Sequence, residues 1–118
     1  MRTAMISQPM RGKTEKEIIA VRDEAKKELA SMGYDALDTY YGFDLPWFVK
    51  SNALYCLGQS LMDMACCDAV YFCRGWENAR GCLIEHEAAE VYGIERIYEE
   101  ATTHLGKSRC LDITAGKR

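Results

Sequence analysis

A carboxylate in the first two turns of a helix that follows a glycine-bearing loop is where chemistry is most legible in this chain. It is Glu85, inside DAVYFCRGWENARGCLIEHEAAEVYGIERIY at residues 68–98. An ionised carboxylate within the first turns of a helix is favoured by the dipole by a few tenths to about 1 kcal/mol. A carboxylate so placed suits nucleophilic attack on an electrophilic carbon, and Glu85 is the candidate nucleophile. The loop ahead of it, 74–81, offers Arg74, Trp76, Asn78, Arg80 and Gly81. Arg80 opposes the helix dipole and so costs stability unless an anion sits beside it. Trp76 is suited to stacking on a ligand ring or to covering a sheet end, and Asn78 to capping the helix or to binding a ligand.

A second loop carries matching chemistry. Ser7, Gln8, Met10, Arg11 and Gly12, followed by Lys13, combine a hydroxyl, an amide, a glycine and two cations ahead of a capped helix. Backbone N–H groups in such a turn can cradle an anion. The sequence has neither the Walker pattern GxxxxGK[ST] nor the dinucleotide fingerprint GxGxxG.

These loops need elements to hold them. Residues 2–7 read as a short apolar strand, β1. Thr14 with Glu17 three residues on is a capping box, opening a helix α1 over 14–32 whose apolar stripe is Ile18, Val21, Ala25, Leu29 and Met32, with Gly33 as its stop. A strand β2 follows over 34–39. After a loop at 44–51 with Pro46 and Trp47, Asn52 is placed to cap a helix α2 over 52–66. Then come β3 (69–73), α3 (79–92) and β4 (94–98). On α3 consecutive residues point about 100° apart. Ile84, Ala88 and Val91 are expected to face the core, with Glu85 beside that stripe and His86 on the surface. Strands alternating with helices imply right-handed crossovers and a parallel sheet. The expected fold is a small flavodoxin-like (Rossmann-like) three-layer α/β domain, order 2-1-3-4, spanning 1–100. Residues 101–118 are expected to be a C-terminal tail or an added strand. That strand order puts a topological switch point between β1 and β3, so both loops open on one crevice. Arg11, Lys13, Arg74 and Arg80 would then gather positive charge there, which suits a phosphate.

Composition narrows the function classes. At 118 residues, with 48% hydrophobic and 28% charged residues, the chain can bury a core without a staple. A net charge of −3 with no basic stripe argues against a nucleic-acid duplex as partner. The six cysteines, at 56, 66, 67, 73, 82 and 110, lack zinc spacing and read as buried thiols in a reducing compartment. No metal and no cofactor is called for. Met1 leads straight into β1, and no long apolar stretch is present, so the expectation is a cytoplasmic protein without a membrane span.

MISQPMRG at the end of β1, ACCDAVYFCRGWENARG around β3 and GCLIEHEAAEVYG in α3 together resemble the nucleoside 2-deoxyribosyltransferase-like superfamily, and more narrowly its short members common in bacteria and phages. The resemblance spans residues 2–98. It implies that Glu85 is the nucleophile that attacks the sugar C1′ and splits an N-glycosidic bond. It also implies that the backbone around Met10, Arg11 and Gly12 holds a 5′-phosphate. The implied ligand is a small-molecule nucleoside or nucleotide. The implied activity is that of a deoxyribosyltransferase or nucleotide N-hydrolase, with a catalytically inactive nucleotide-binding or sequestering protein as the alternative. Active relatives carry an aspartate where this chain has Ser60. The nucleotide hydrolases carry a tyrosine where it has Met5 and a serine where it has Ala79. Superfamily members complete their sites across subunits, and α2 has more apolar surface (Leu54, Tyr55, Leu57, with Trp47) than one sheet face requires. A homo-oligomer built on α2 and α3, a dimer or higher, is expected.

Overall fold

The computed structural model describes residues 1–38 and 45–99. The expected strand at residue 39, the aromatic residues Tyr40, Tyr41 and Phe43, and the segment 101–118 lie outside them. Four strands and three helices alternate: β1 Arg2–Ser7, α1 Glu15–Ser31, β2 Tyr34–Leu37, α2 Asn52–Met64, β3 Ala69–Phe72, α3 Arg80–Val91 and β4 Glu95–Tyr98. A short 3₁₀ turn, Trp76–Asn78, precedes α3. The strands form one parallel sheet in the order β2-β1-β3-β4, the expected flavodoxin-like three-layer topology.

Period-two alternation divides the core. Ala4, Ile6, Ala69, Tyr71 and Cys73 face one side, where Ala25 and Leu29 of α1 close over them. Met5, Val70 and Phe72 face the other, packed with Met64 of α2 and Ala89 of α3. All four residues of β3 are buried, as a strand covered on both faces by crossover helices must be.

The helix boundaries follow local chemistry. Thr14 Oγ1 accepts from the Glu17 N–H at 3.1 Å, and Glu17 Oε1 accepts from the Thr14 N–H at 2.8 Å. This reciprocal box satisfies two of the N–H groups that a helix start leaves open, and a capping side chain of this kind is worth about 1 kcal/mol. Gly33, at φ +88°, takes the left-handed position after the helix that any side chain would strain. Two capping expectations are corrected. Ser51, not Asn52, caps α2, its Oγ accepting from the Leu54 N–H at 3.2 Å. Asn78 does not cap α3, whose N-cap is Ala79 with no side-chain bond, because the 3₁₀ turn carries Asn78 one position too early.

The inward stripes of two helices also differ from the apolar reading. On α1 the buried positions are Ile18, Arg22, Ala25 and Leu29, while Val21 and Met32 are exposed. On α3 they are Cys82, Glu85, His86 and Ala89, while Ile84 is 44% and Val91 69% exposed. Both observed sets have helical spacing. Their polar members are tolerated inside because each finds a hydrogen-bond partner on another element.

Candidate functional site at the switch point

Ser7 ends β1 with 1% exposure, and its backbone carbonyl accepts from Cys73 N–H at 2.9 Å, extending the β1–β3 pairing to the strand ends. The following loops then come together. A Cβ built on Gly75 would lie 3.6 Å from Pro9 Cγ, so the loops after β1 and β3 border the same crevice.

Into that crevice the second turn of α3 directs Glu85. Ser7 Oγ donates to Glu85 Oε1 at 2.5 Å, and Ser60 of α2 lies near enough to the same carboxylate to favour its ionised form. Three elements therefore meet on one carboxyl group. Glu85 is 7% exposed. The inward turn of α3 places it beneath the loops. Burial raises its pKa above the ordinary carboxylate value, opposed by the bond from Ser7, by Ser60 and by the charge of Arg22. Cys82, one turn earlier on α3, interacts with Ser7, and burial pushes its thiol up to about 11. At neutral pH it is a thiol and a poor nucleophile.

Gln8 and Arg22 form a second layer. Arg22, 2% exposed, donates through Nη1 to Gln8 Oε1 at 3.1 Å, and its Nη2 lies 3.7 Å from Asp38 Oδ1. Gln8 Nε2 donates to the Ile18 carbonyl at 2.9 Å. The Gln8 amide is thus oriented by α1 at both ends. Arg22 escaped the sequence reading, which followed hydrophobicity and assigned Val21 inward. The signal was nevertheless present, because 18, 22, 25 and 29 is itself a helical stripe.

The remaining candidates separate. In the first loop Met10, Arg11, Gly12 and Lys13 are exposed. The Lys13 N–H closes a turn on the Met10 carbonyl at 3.1 Å, and Gly12 supplies the required φ of +79°. Asn78 and Arg80 are exposed, and Gly81 is half-buried. Trp76 does not stand free as a stacking platform. It lies on the His86 ring at 4.2 Å and 16°, with Phe72 at 5.3 Å. His86, expected on the surface, is 6% exposed and shares a 2.7 Å hydrogen bond between Nε2 and the Tyr98 hydroxyl. The reason is the same turn of α3, which brings 82, 85, 86 and 89 inward together. Among the described residues no group of three or more His, Cys, Asp or Glu side chains could hold a metal. The five described cysteines are free, and among the described residues no helix is long and apolar enough to cross a membrane.

Fold and site together define a class: a flavodoxin-like α/β domain with a buried, hydroxyl-bound carboxylate at its topological switch point. The sequence model of one protein family matches residues 3–98, and the chain belongs to that family, described as a domain of unknown function (DUF4406). No curated protein and no solved structure matches the chain.

Proposed function

We propose that this protein acts on an N-glycosidic bond of a deoxynucleoside or nucleotide, as a deoxyribosyltransferase or nucleotide N-hydrolase of the nucleoside 2-deoxyribosyltransferase-like superfamily. The observation that carries the reading is the Glu85 carboxylate, held at 2.5 Å by Ser7 Oγ at the carboxyl end of β1. In this mechanism a Glu85 oxygen forms a bond to the sugar C1′ as the C1′–N bond breaks, and the electron pair leaves with the base. Water or a second base then displaces Glu85 from C1′, regenerating the carboxylate. The hydroxyl of Ser7 fixes the carboxylate and, with Ser60, favours its ionised form, which is the form that attacks. Arg11 and the turn through Met10 and Gly12 hold the 5′-phosphate, and Arg80 at the start of α3 adds charge on the other side. The protein works in the cytoplasm, as a homo-oligomer whose contact includes the apolar outer surfaces of α2 and α3. Leu54 and Met62 on α2, each 66% exposed, and Val91 on α3 support that contact.

The test is release of free base from deoxynucleosides and their 5′-monophosphates. Wild-type protein releases base and Glu85→Gln does not, while ligand affinity stays within a few fold, because the lost step is covalent. An unchanged rate in Glu85→Gln removes the mechanism. A second reading, a nucleotide-binding protein without turnover, is favoured by one observation: Ser60, a hydroxyl, meets Glu85 where active relatives carry an aspartate. Binding without base release would select it.

A further inference from the structure

Ser7 and Gln8 are chain neighbours held from opposite sides of the sheet. Ser7 Oγ reaches Glu85 on α3. The Gln8 side chain is fixed on α1 instead, its Nε2 donating to the Ile18 carbonyl at 2.9 Å and its Oε1 accepting from Arg22 Nη1 at 3.1 Å. The peptide between the two residues is held from β3, because the Ser7 carbonyl accepts from Cys73 N–H at 2.9 Å. Ser7, Gln8, Arg22 and Glu85 are all buried, so each position in this line of contacts depends on the next rather than on water. Arg22 is the member that packing explains least. It occupies the inward stripe of α1 with Ile18, Ala25 and Leu29, where an apolar side chain would close over the sheet without the cost of burying a charge.

We propose that Arg22 is a positioning residue for Glu85, acting through Gln8 and Ser7 across the carboxyl end of β1. The proposal rests on the reading of Glu85 as the nucleophile and names what holds that carboxylate ready. A guanidinium presents its donors in a rigid fork. One arm holds Gln8, while Nη2 faces Asp38 just beyond β2 at 3.7 Å, a carboxylate that Lys26 of α1 approaches at 3.6 Å. With Gln8 fixed, the Ser7 hydroxyl stands where it donates to Glu85 at 2.5 Å, the short length of a hydroxyl–carboxylate bond. The groups that act on the Glu85 carboxyl come from four elements. Ser7 of β1, Ser60 of α2 and the charge of Arg22 on α1 favour ionisation, and Cys82, one turn earlier on α3, faces it as a neutral thiol. Releasing Gln8 loosens the donor on the carboxylate, and burial then drives Glu85 further toward its neutral form, which cannot attack.

The test reads Glu85 itself and needs no substrate. In protein labelled with ¹³C and ¹⁵N, the Glu85 carboxyl carbon and the Gln8 side-chain amide are followed by NMR as pH is varied. In wild type the Gln8 amide resonances are expected to move with the same midpoint as the carboxyl carbon. Arg22→Lys, which keeps a cation but not the fork, shifts that midpoint upward, and the shift is smaller when Ser7→Ala is already present, because the path through Ser7 is then cut. Gln8→Met, which leaves Arg22 its charge, gives the same upward shift and serves if Arg22→Lys does not fold. A Gln8 amide that stays still while Glu85 titrates in wild type would overturn the proposal without any variant. An equal upward shift with and without Ser7 would do so too, since it marks charge acting through space. The third overturning result is an unmoved Glu85 midpoint in Arg22→Lys with a lowered urea midpoint, the mark of a merely structural arginine. Absence of base release in wild type, with the expected shifts present, removes the proposed reaction and leaves the positioning of the carboxylate standing. Base release with unmoved Glu85 midpoints does the reverse.

Discussion

Replacing Ser7 by alanine removes a donor from a carboxylate that has almost no access to water. Ser7 is 1% and Glu85 7% exposed, and the bond between them is 2.5 Å, so solvent cannot replace the lost hydroxyl without reorganisation. Hydrogen bonds to charged groups contribute about 1.5–3 kcal/mol. The expected cost at pH 8 is therefore about 2 kcal/mol, or about 8 °C in Tm for a domain of this size. The pH dependence carries the sharper test. Burial raises the Glu85 pKa above the ordinary value, so the folded state binds this proton more readily than the unfolded state. The protonated group's contribution to stability is full below the unfolded carboxyl value of about 4.3, and it is lost as pH rises through the folded pKa. Near pH 4 the carboxyl is protonated in the folded state and depends less on Ser7. The cost of Ser7→Ala should then shrink toward that of an ordinary neutral hydrogen bond, about 1 kcal/mol. Urea unfolding of wild type, Ser7→Ala, Glu85→Gln and the double variant, at pH 8 and pH 4, completes a cycle for the pair. Equal costs of Ser7→Ala at both pH values, with additive effects in the double variant, would refute a charge-assisted role for Ser7.

The same titration predicts that Glu85→Gln raises stability at pH 8 relative to pH 4, read as a difference in urea midpoints, since the amide keeps an acceptor for Ser7 and removes the buried charge. His86→Phe keeps the stack on Trp76 but leaves the Tyr98 hydroxyl without its ring-nitrogen partner. It should cost about 1–3 kcal/mol and alter Trp76 fluorescence, and an unchanged urea midpoint would count against a buried His86–Tyr98 pair. A deoxynucleoside 5′-monophosphate should bind roughly ten- to a hundredfold more tightly than its nucleoside in calorimetric titration, the equivalent of about 1.5–3 kcal/mol for one charge-assisted contact. Sedimentation at micromolar concentration should give a species larger than 13.4 kDa, and Leu54→Glu with Met62→Glu should shift it toward that mass.

Strand order and helix order were legible because each transition carries local chemistry. The Thr14–Glu17 box opens α1, Gly33 and Gly93 take positive φ after α1 and α3, and the unbroken apolar run at Ala69–Phe72 is what a parallel strand buried on both faces requires. Glu85 was legible from its place in the first turns of α3, the helix that follows β3. Its neighbours were not. Ser60 lies on α2 and Ser7 on β1, and no pattern local to α3 announces a hydroxyl supplied by another element. The same non-locality hid His86, whose partner Tyr98 comes from β4, and turned Trp76 from a candidate platform into the cover of a buried imidazole. Where hydrophobicity alone chose the inward face, it chose Val21, Ile84 and Val91, all exposed; beside Val21 and Ile84 the polar neighbours Arg22 and Glu85 are buried instead.

Those buried polar residues bear on what the site is for. A carboxylate taken out of water is costly, and well-packed apolar residues often replace buried ionic groups with no loss of stability. Here two hydroxyls and the charge of Arg22 favour the ionised form, yet burial still outweighs them and the Glu85 pKa remains raised. The position therefore carries a stability cost that simple packing does not require. Arg22, also buried, is engaged with Gln8 at the mouth of the same crevice. A net unfavourable carboxylate at the carboxyl ends of β1 and β3, where this topology binds ligands, is what a reacting or ligand-holding centre needs and a structural core does not. If Glu85 serves ligand chemistry, replacing it should improve stability at neutral pH while removing base release. If it served packing alone, the same replacement would lower stability. The two signs are opposite, so unfolding and turnover measured on the one Glu85→Gln variant decide between a functional carboxylate and a structural one.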